Sequence, residues 1–246
     1  MKKCTLLAIF VCAALLTMIS MPAQAQSISI SLGDEGSIAA RSVQLLVLVT
    51  ILSVVPGLAI MITCFPFIVT VLAILRQAIG LQQSPPNMLI VSLALFLTYF
   101  IMEPVFTQAW VSGIEPLIND QITIEQSFIK SIFPFREFMS KRIDPDTFAS
   151  LTSLRPDAVL DAGISEQPLS LLVPSFLLSE IERAFEIGFL IFLPFLIIDL
   201  VVAAILMSMG MMMVPPAIVS LPFKLAFFVV ADGWTLISGA LVRSYF

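Results

Sequence analysis

Asp199, within LPFLIIDLVVAAIL, and Lys224, within IVSLPFKLAFFVV, each stand alone in uncharged apolar sequence. A carboxylate and an ammonium at membrane depth can pair, relay a proton or hold a charged solute. A lone charge at the centre of a bilayer helix costs about 2.5 kcal/mol or more on insertion scales, so pairing is the simplest reading. If the turn between them centres on Met211 and Met212, positions whose numbers sum to about 423 share a depth, and 199 and 224 meet that condition. The pair would hold the hairpin together or hold a neighbouring subunit. The alternative is a proton relay or substrate site, with Glu103 as a further acid in a transporter or channel.

The second constellation is a run of methionines, Met207, Met209, Met211, Met212 and Met213, at the same turn. Methionine is ordinarily apolar filling. Its unbranched, polarizable side chain also conforms to changing surfaces, so several copies around an axis could close softly around a moving chain. Glu180, Glu182, Arg183 and Glu186 read as a solvated face beside the membrane rather than a catalytic carboxylate pair. The sequence has no histidine, which removes Ser-His-Asp and Cys-His catalysis and the commonest zinc ligand. An intramembrane enzyme would need a nucleophile and base that the sequence does not offer, and no metal or cofactor site is expected.

The elements that carry these residues are apolar helices. Of 246 residues, 59% are hydrophobic and 12% charged, against roughly 25% charged in soluble proteins. Uncharged stretches at 42–75 and 77–102 exceed the roughly 20 residues a membrane helix needs. No strand-like alternation is persuasive, so the expected class is all-α, with membrane-inserted hairpins and broken helices. Residues 1–25 read as a signal peptide: Lys2 and Lys3, an apolar run to Ile19, and Ala23-Gln24-Ala25 before Gln26. Its removal leaves Cys64 as the one cysteine and 10 basic against 17 acidic residues, a net of −7. No clustered basic surface for nucleic acid is present.

A polar arm is expected at 26–41, a first hydrophobic hairpin at 42–110, a polar helical region at 111–186, and a second hydrophobic hairpin at 187–246. The block 42–75 is about 51 Å long as a helix, against a hydrocarbon core of about 30 Å, so breaks are expected at Pro56 and Pro66. Ser84-Pro85-Pro86-Asn87 should stop one helix and start the next, and Glu103-Pro104 should end that one. Phe128, Ile132, Phe135, Phe138 and Met139 suggest one amphipathic helix despite Pro134. With Gln26 outside the cell membrane, an even number of crossings puts 76–87 and 210–216 on the cytoplasmic side and the polar region outside.

Three strings carry a family resemblance: RQAIGLQQSPPN (76–87), LIVSLALFLTYFIMEP (89–104) and FEIGFLIFLPFLIIDLVVAAILMSMGMMMVPPAIVSLPFKLAFFVVADGW (185–234). They resemble the FliP family of flagellar biosynthetic proteins. The resemblance implies a non-enzymatic core subunit of the type III protein-export gate in the bacterial inner membrane. It would assemble with copies of itself and with FliQ and FliR at the flagellar basal body, beside other export-apparatus proteins and membrane lipid, and pass unfolded flagellar proteins. Injectisome export gates share the architecture and are the alternative, ahead of a small-solute transporter or ion channel. The family's methionine-rich loop falls on Met211, Met212 and Met213, with Met209 beside it, and implies a gasket around the channel. The family also implies hairpins packed on neighbouring subunits and lifted from the bilayer plane, so hydropathy describes insertion of the new chain rather than the finished gate.

Overall fold

A computed structural model describes residues 38–81, 85–154, 163–211 and 213–246. The expected signal peptide and residues 26–37 of the polar arm lie outside the described residues. The chain divides into two compact units, residues 1–50 and 51–246. In the first, the described residues are helical. The described part of the second is also helical, with no strand. The fold is all-α.

Helix α1, Ile38–Met61, contains Pro56 without ending there. The break expected at Pro56 falls instead at residues 62–64, where the amides of Ile62 and Thr63 still bond back to Leu58 and Ile60. A proline inside a helix removes one donor and crowds one turn, but unwinding there would strip more apolar backbone of its partners. Pro66 lies in the first turn of α2, Phe65–Ile79, where its missing N–H is no loss. Helix α2 closes at Gly80, whose φ of +88° lets its N–H return to the Gln77 carbonyl.

Across the following turn, the Arg76 guanidinium donates to the Asn87 side chain. Pro86 takes the cap position, and Asn87 opens α3, Asn87–Ala109. Helix α3 runs through Pro104, so Glu103-Pro104 does not end it. Ala94, Leu97, Ile101, Met102 and Ala109 stay buried on both sides of that proline, and this packing holds the axis. A π-helical turn, Trp110–Ile114, then leads into the short α4, Glu115–Ile118. Ser127 donates to the Gly113 carbonyl at 2.9 Å. A Cβ on Gly113 would lie 2.8 Å from the Ser127 oxygen and the Ser131 nitrogen, so only glycine fits this crossing.

The amphipathic stretch forms α5, Ile124–Ser140, which runs through Pro134 and starts on a Thr123–Gln126 capping box. Helix α6, Pro145–Ser153, is capped by Asp144 accepting from the Thr147 amide at 2.8 Å. That bond holds the Asp144 carboxyl below its usual range. Helix α7, Leu169–Ser208, has 40 residues and contains Pro174 and Pro194. It starts well before the expected boundary at 186/187, which therefore falls inside a helix. The last hydrophobic segment is two helices, α8, Pro216–Val230, and α9, Gly233–Arg243, bent by 61° at Asp232, whose φ is +50°.

Helix α2 is the centre of the second unit. Phe67, Ile68, Val71, Leu72, Leu75, Ala78 and Ile79 are buried, a wide stripe at helical spacing. They pack on α7, α3 and α8. A smaller cluster joins Met139, Ile143, Leu172 and Phe176 beneath α5 and α6. Among the described residues, Arg41–Met61, Asn87–Ile118 and Leu169–Ser208 are long and apolar enough to cross a membrane, and α8 with α9 make a candidate broken fourth span.

Where α2 meets α7, a Cβ on Gly188 would lie 3.1 Å from Ile74 Cγ2 and overlap Ile74 Cδ1. Gly188→Leu is expected to cost about 1–3 kcal/mol by overpacking, read as a lower midpoint of thermal unfolding in detergent. Gly57→Ala, where a Cβ meets nothing within 4 Å, should instead gain about 0.5–1 kcal/mol from helix propensity. An unchanged midpoint for Gly188→Leu would refute the close α2–α7 contact.

Candidate functional site

Lys224 Nζ lies 2.6 Å from Asp199 Oδ2, and Ser220 Oγ donates to Asp199 Oδ1 at 2.5 Å. The side chains come from α7 and α8, facing each other across the hairpin. A third helix joins them: Lys224 also donates to the Ala78 carbonyl at 3.2 Å, in the last turn of α2. Helix C-termini carry partial negative charge, so the ammonium is answered by a carboxylate and by a helix end together. The Lys224 side chain is 7% exposed and that of Asp199 36%, leaving the carboxylate open on one side. Gly80 passes close by, and a Cβ there would come within 3.3 Å of Leu221 Cδ1.

A second charged cluster sits at the other end of α2, and the sequence reading missed it. Glu180 was expected on a solvated face, yet its side chain is fully buried. Glu182 and Glu186 are exposed. Arg142 Nε donates to Glu180 Oε1 at 2.8 Å and Arg142 Nη1 to the Ser244 carbonyl at 2.9 Å. The Tyr245 hydroxyl donates to the other Glu180 oxygen. The guanidinium lies 4.1 Å from the centre of the Tyr245 ring, and that ring meets Phe67 of α2 edge-on at 5.6 Å. The signal was present in α7: Leu172, Phe176, Glu180, Ala184 and Gly188 form one row four residues apart, all buried. A lone acid in such a row must point inward.

Cys64, at the start of α2, is fully buried. Burial pushes its thiol up to about 12, and the Glu180 carboxylate acts in the same direction. Burial, and then the Glu180 charge, also push the Tyr245 hydroxyl well above its usual value. The phenol therefore stays protonated and donates to the carboxylate.

The methionines cap the α7–α8 hairpin. Gly210, at φ +75°, ends α7 with its N–H on the Met207 carbonyl at 3.1 Å and the Met211 N–H on Leu206 at 3.0 Å, a Schellman closure. Met209 and Met211 line an apolar groove of about 520 Å³ with Ile197, Val201 and Phe223. Met213 projects from the tip, 98% exposed. Met212 lies outside the described residues. Among the described residues, no group of three or more His, Cys, Asp or Glu comes together as a metal site.

Removing a buried ion's partner typically costs about 3–5 kcal/mol. Asp199→Ala should fall toward the lower end, because Asp199 keeps 36% exposure, and should show as reduced yield of folded protein by size exclusion. Exchanging the two charges should restore part of that yield only, since an acid at 224 would face the Ala78 carbonyl. An Asp199→Ala chain with native yield and melting would sink this account. For the second cluster, Glu180→Ala should speed maleimide labelling of Cys64 at pH 8 at least ten-fold, in a background with Cys4 and Cys12 changed to Ser. A thiol with a pKa of about 12 is ionised to only about one part in ten thousand at that pH, so labelling reports opening. Wild-type labelling rates in Glu180→Ala would show that the network does not hold the core.

The sequence pattern described as the FliP family matches residues 48–241. The flagellar biosynthetic protein FliP of Caulobacter vibrioides is 49% identical over 228 residues, covering 92% of this chain and 85% of that protein. The protein of the same name from Agrobacterium fabrum is 47% identical over 214 residues, 86% of each chain. That from Bacillus subtilis is 45% identical over 208 residues, 83% of this chain and 92% of the relative. A pattern match across most of the chain, together with relatives this similar along nearly their whole lengths, means that the chain belongs to the FliP family.

Proposed function

We propose that this chain is a core subunit of the flagellar type III protein-export gate, forming a channel for flagellar proteins with copies of itself and with FliQ and FliR. The family carries the general role, since the relatives are named flagellar biosynthetic proteins. The three apolar helices long enough to cross a membrane support an inner-membrane location. The observation that carries the channel reading is the methionine turn, which offers Met211 and Met213 on an exposed tip supported by a closed helix end. Several copies of that tip around an axis would form a compressible ring. Such side chains change rotamer at low cost, so the ring could close on itself or on an unfolded chain without a specific fit.

Ser244 and Tyr245 touch Arg142 and Glu180, so they share one side of the molecule with the polar region. Signal cleavage before Gln26 would make that side periplasmic. The Asp199–Lys224 pair then serves the hairpin that carries the tip, with both charges already engaged. This favours a structural role over solute transport.

Replacing Met211, Met213 and Met212 together with Ala should leave assembly intact and make the closed membrane leak ions or small solutes. One replacement should do less, because neighbouring methionines can swing into the gap. Assembly yield and membrane permeability are measured on the same triple variant. A variant that fails to assemble, or assembles with a tight membrane, removes the gasket role from this turn.

A further inference from the structure

The α7–α8 hairpin is weakest at one level, on both of its arms. Its register is set by the Asp199–Lys224 pair and by Phe195, whose ring lies 5.9 Å from that of Phe227 and 6.4 Å from that of Phe228. In that register the turn 190–194 of α7 stands opposite 229–233 of the returning arm. On α7, Pro194 has no N–H to give the Leu190 carbonyl, and its ring crowds that turn. Opposite, the backbone ladder stops: the Asp232 amide turns back to the Val229 carbonyl at 3.1 Å, and the next bond runs from Leu236 to Asp232. Asp232 holds a φ of +50°, a left-handed conformation that a Cβ disfavours, and its side chain does not cap α9. Turning Asp232 to the right-handed form would join α8 and α9 into one helix and recover the missing bonds.

Little holds the hairpin beyond this level. Among the described residues, the main buried cluster reaches toward the tip no further than Phe195 on α7 and Phe228 on α8, with Leu225 partly buried against it. The one hydrogen bond that leaves this part of the hairpin for the rest of the described chain is Lys224 Nζ to the Ala78 carbonyl, beside the approach of Leu221 to Gly80. Within the hairpin, Asp199 binds both Ser220 and Lys224, which splints α8 across its own Pro222. At the bend the contacts are apolar. Phe228 lies against Gly233, where no Cβ would fit, and edge-on to Trp234 at 5.4 Å. Apolar contact is non-directional, so these rings tolerate a change of angle that a hydrogen bond would not.

We infer that residues 195–230 swing as one body about Pro194 and Asp232, latched in the present position by Lys224 on Ala78. From Asp232 to Pro216, the far end of α8, is about 24 Å, so a kink of about 20° would carry the methionine tip by about 8 Å. The swing follows from the geometry of this chain; that it opens and closes a channel rests on the export reading proposed above.

The test uses the full chain, with Cys4 and Cys12 changed to Ser, purified with its natural partners from cells. Nitroxide labels at Ile129→Cys on α5 and Ile218→Cys on α8, both exposed positions, report the distance across the hinge by pulsed electron resonance. Unlabelled copies are made in excess, so that each particle carries one labelled chain. Cys64 is fully buried and escapes the label, and its protection from maleimide reports that each variant folds. Two distances are expected, the second in the minority. Pro194→Ala returns a donor to the Leu190 carbonyl and should lower the minor population at least three-fold. Asp232→Gly, which eases the left-handed form, should lower it too, whereas Asp232→Ala, which disfavours that form more than Asp does, should raise it at least three-fold. A single distance shared by the unaltered chain and Asp232→Ala would overturn the hinge, and so would Gly and Ala at 232 shifting the populations the same way. Should Asp232→Ala lose Cys64 protection, the other two variants decide, since each removes a local penalty: unchanged populations in both overturn the hinge. Secretion of flagellar proteins is measured on the same variants. Populations that shift while secretion stays constant leave the hinge standing and count against the export reading.

Discussion

Taking the Lys224 ammonium or the Glu180 carboxylate out of water costs several kcal/mol unless an opposite charge and hydrogen bonds replace the solvent. Among the described residues that requirement is met twice, at the two ends of the same buried helix. Both carboxylates, Glu180 and Asp199, belong to α7, 19 positions and about 28 Å apart along its axis. Their cations come from elsewhere, Arg142 from the turn after α5 and Lys224 from α8. Sliding α7 by one turn, about 5.4 Å, would break both pairs at once. The register of the longest helix against the core is therefore set by charge as well as by the Gly188–Ile74 contact.

This arrangement separates a fixed part from an adaptable one. Helix α2 is packed nearly all round, while the outer faces of α1, α3 and α7 carry large exposed apolar side chains. The hairpin tip lies beyond the Asp199–Lys224 pair, and its Met209 and Met213 are largely exposed. Methionine side chains at that end can change rotamer without disturbing the charge-paired stem.

Much of this was legible in residue types and spacing, and the failures share a cause. The composition pointed to apolar helices, and the numbering of Asp199 and Lys224 about the methionine turn pointed to side chains at one level, which lie 2.6 Å apart. The third member of that site, the Ala78 carbonyl, is 146 positions away from Lys224, and no local pattern announces it. Glu180 was misread because its neighbours Glu182 and Glu186 are solvated, although its row on α7 is apolar. Pro56 and Pro104 were read as breaks because proline weighs on helix formation locally, whereas the helices here continue through Pro56, Pro104, Pro134, Pro174 and Pro194. The real breaks, at 62–64 and Asp232, carry weaker local signals.

The clasp of Ser244 and Tyr245 over Arg142 and Glu180 has a consequence for biogenesis. The ribosome makes residue 142 and residue 180 long before residue 245, and α8 and α9 must be threaded into place in between. Until then the Glu180 carboxylate lacks its phenol, and the Arg142 guanidinium lacks both its carbonyl and its aromatic cover. The polar region thus cannot reach its final state by folding as each segment emerges. It waits for the following hairpin and α9 to be in place. The last residues made are thus the ones that complete the burial of a charge placed early in the chain.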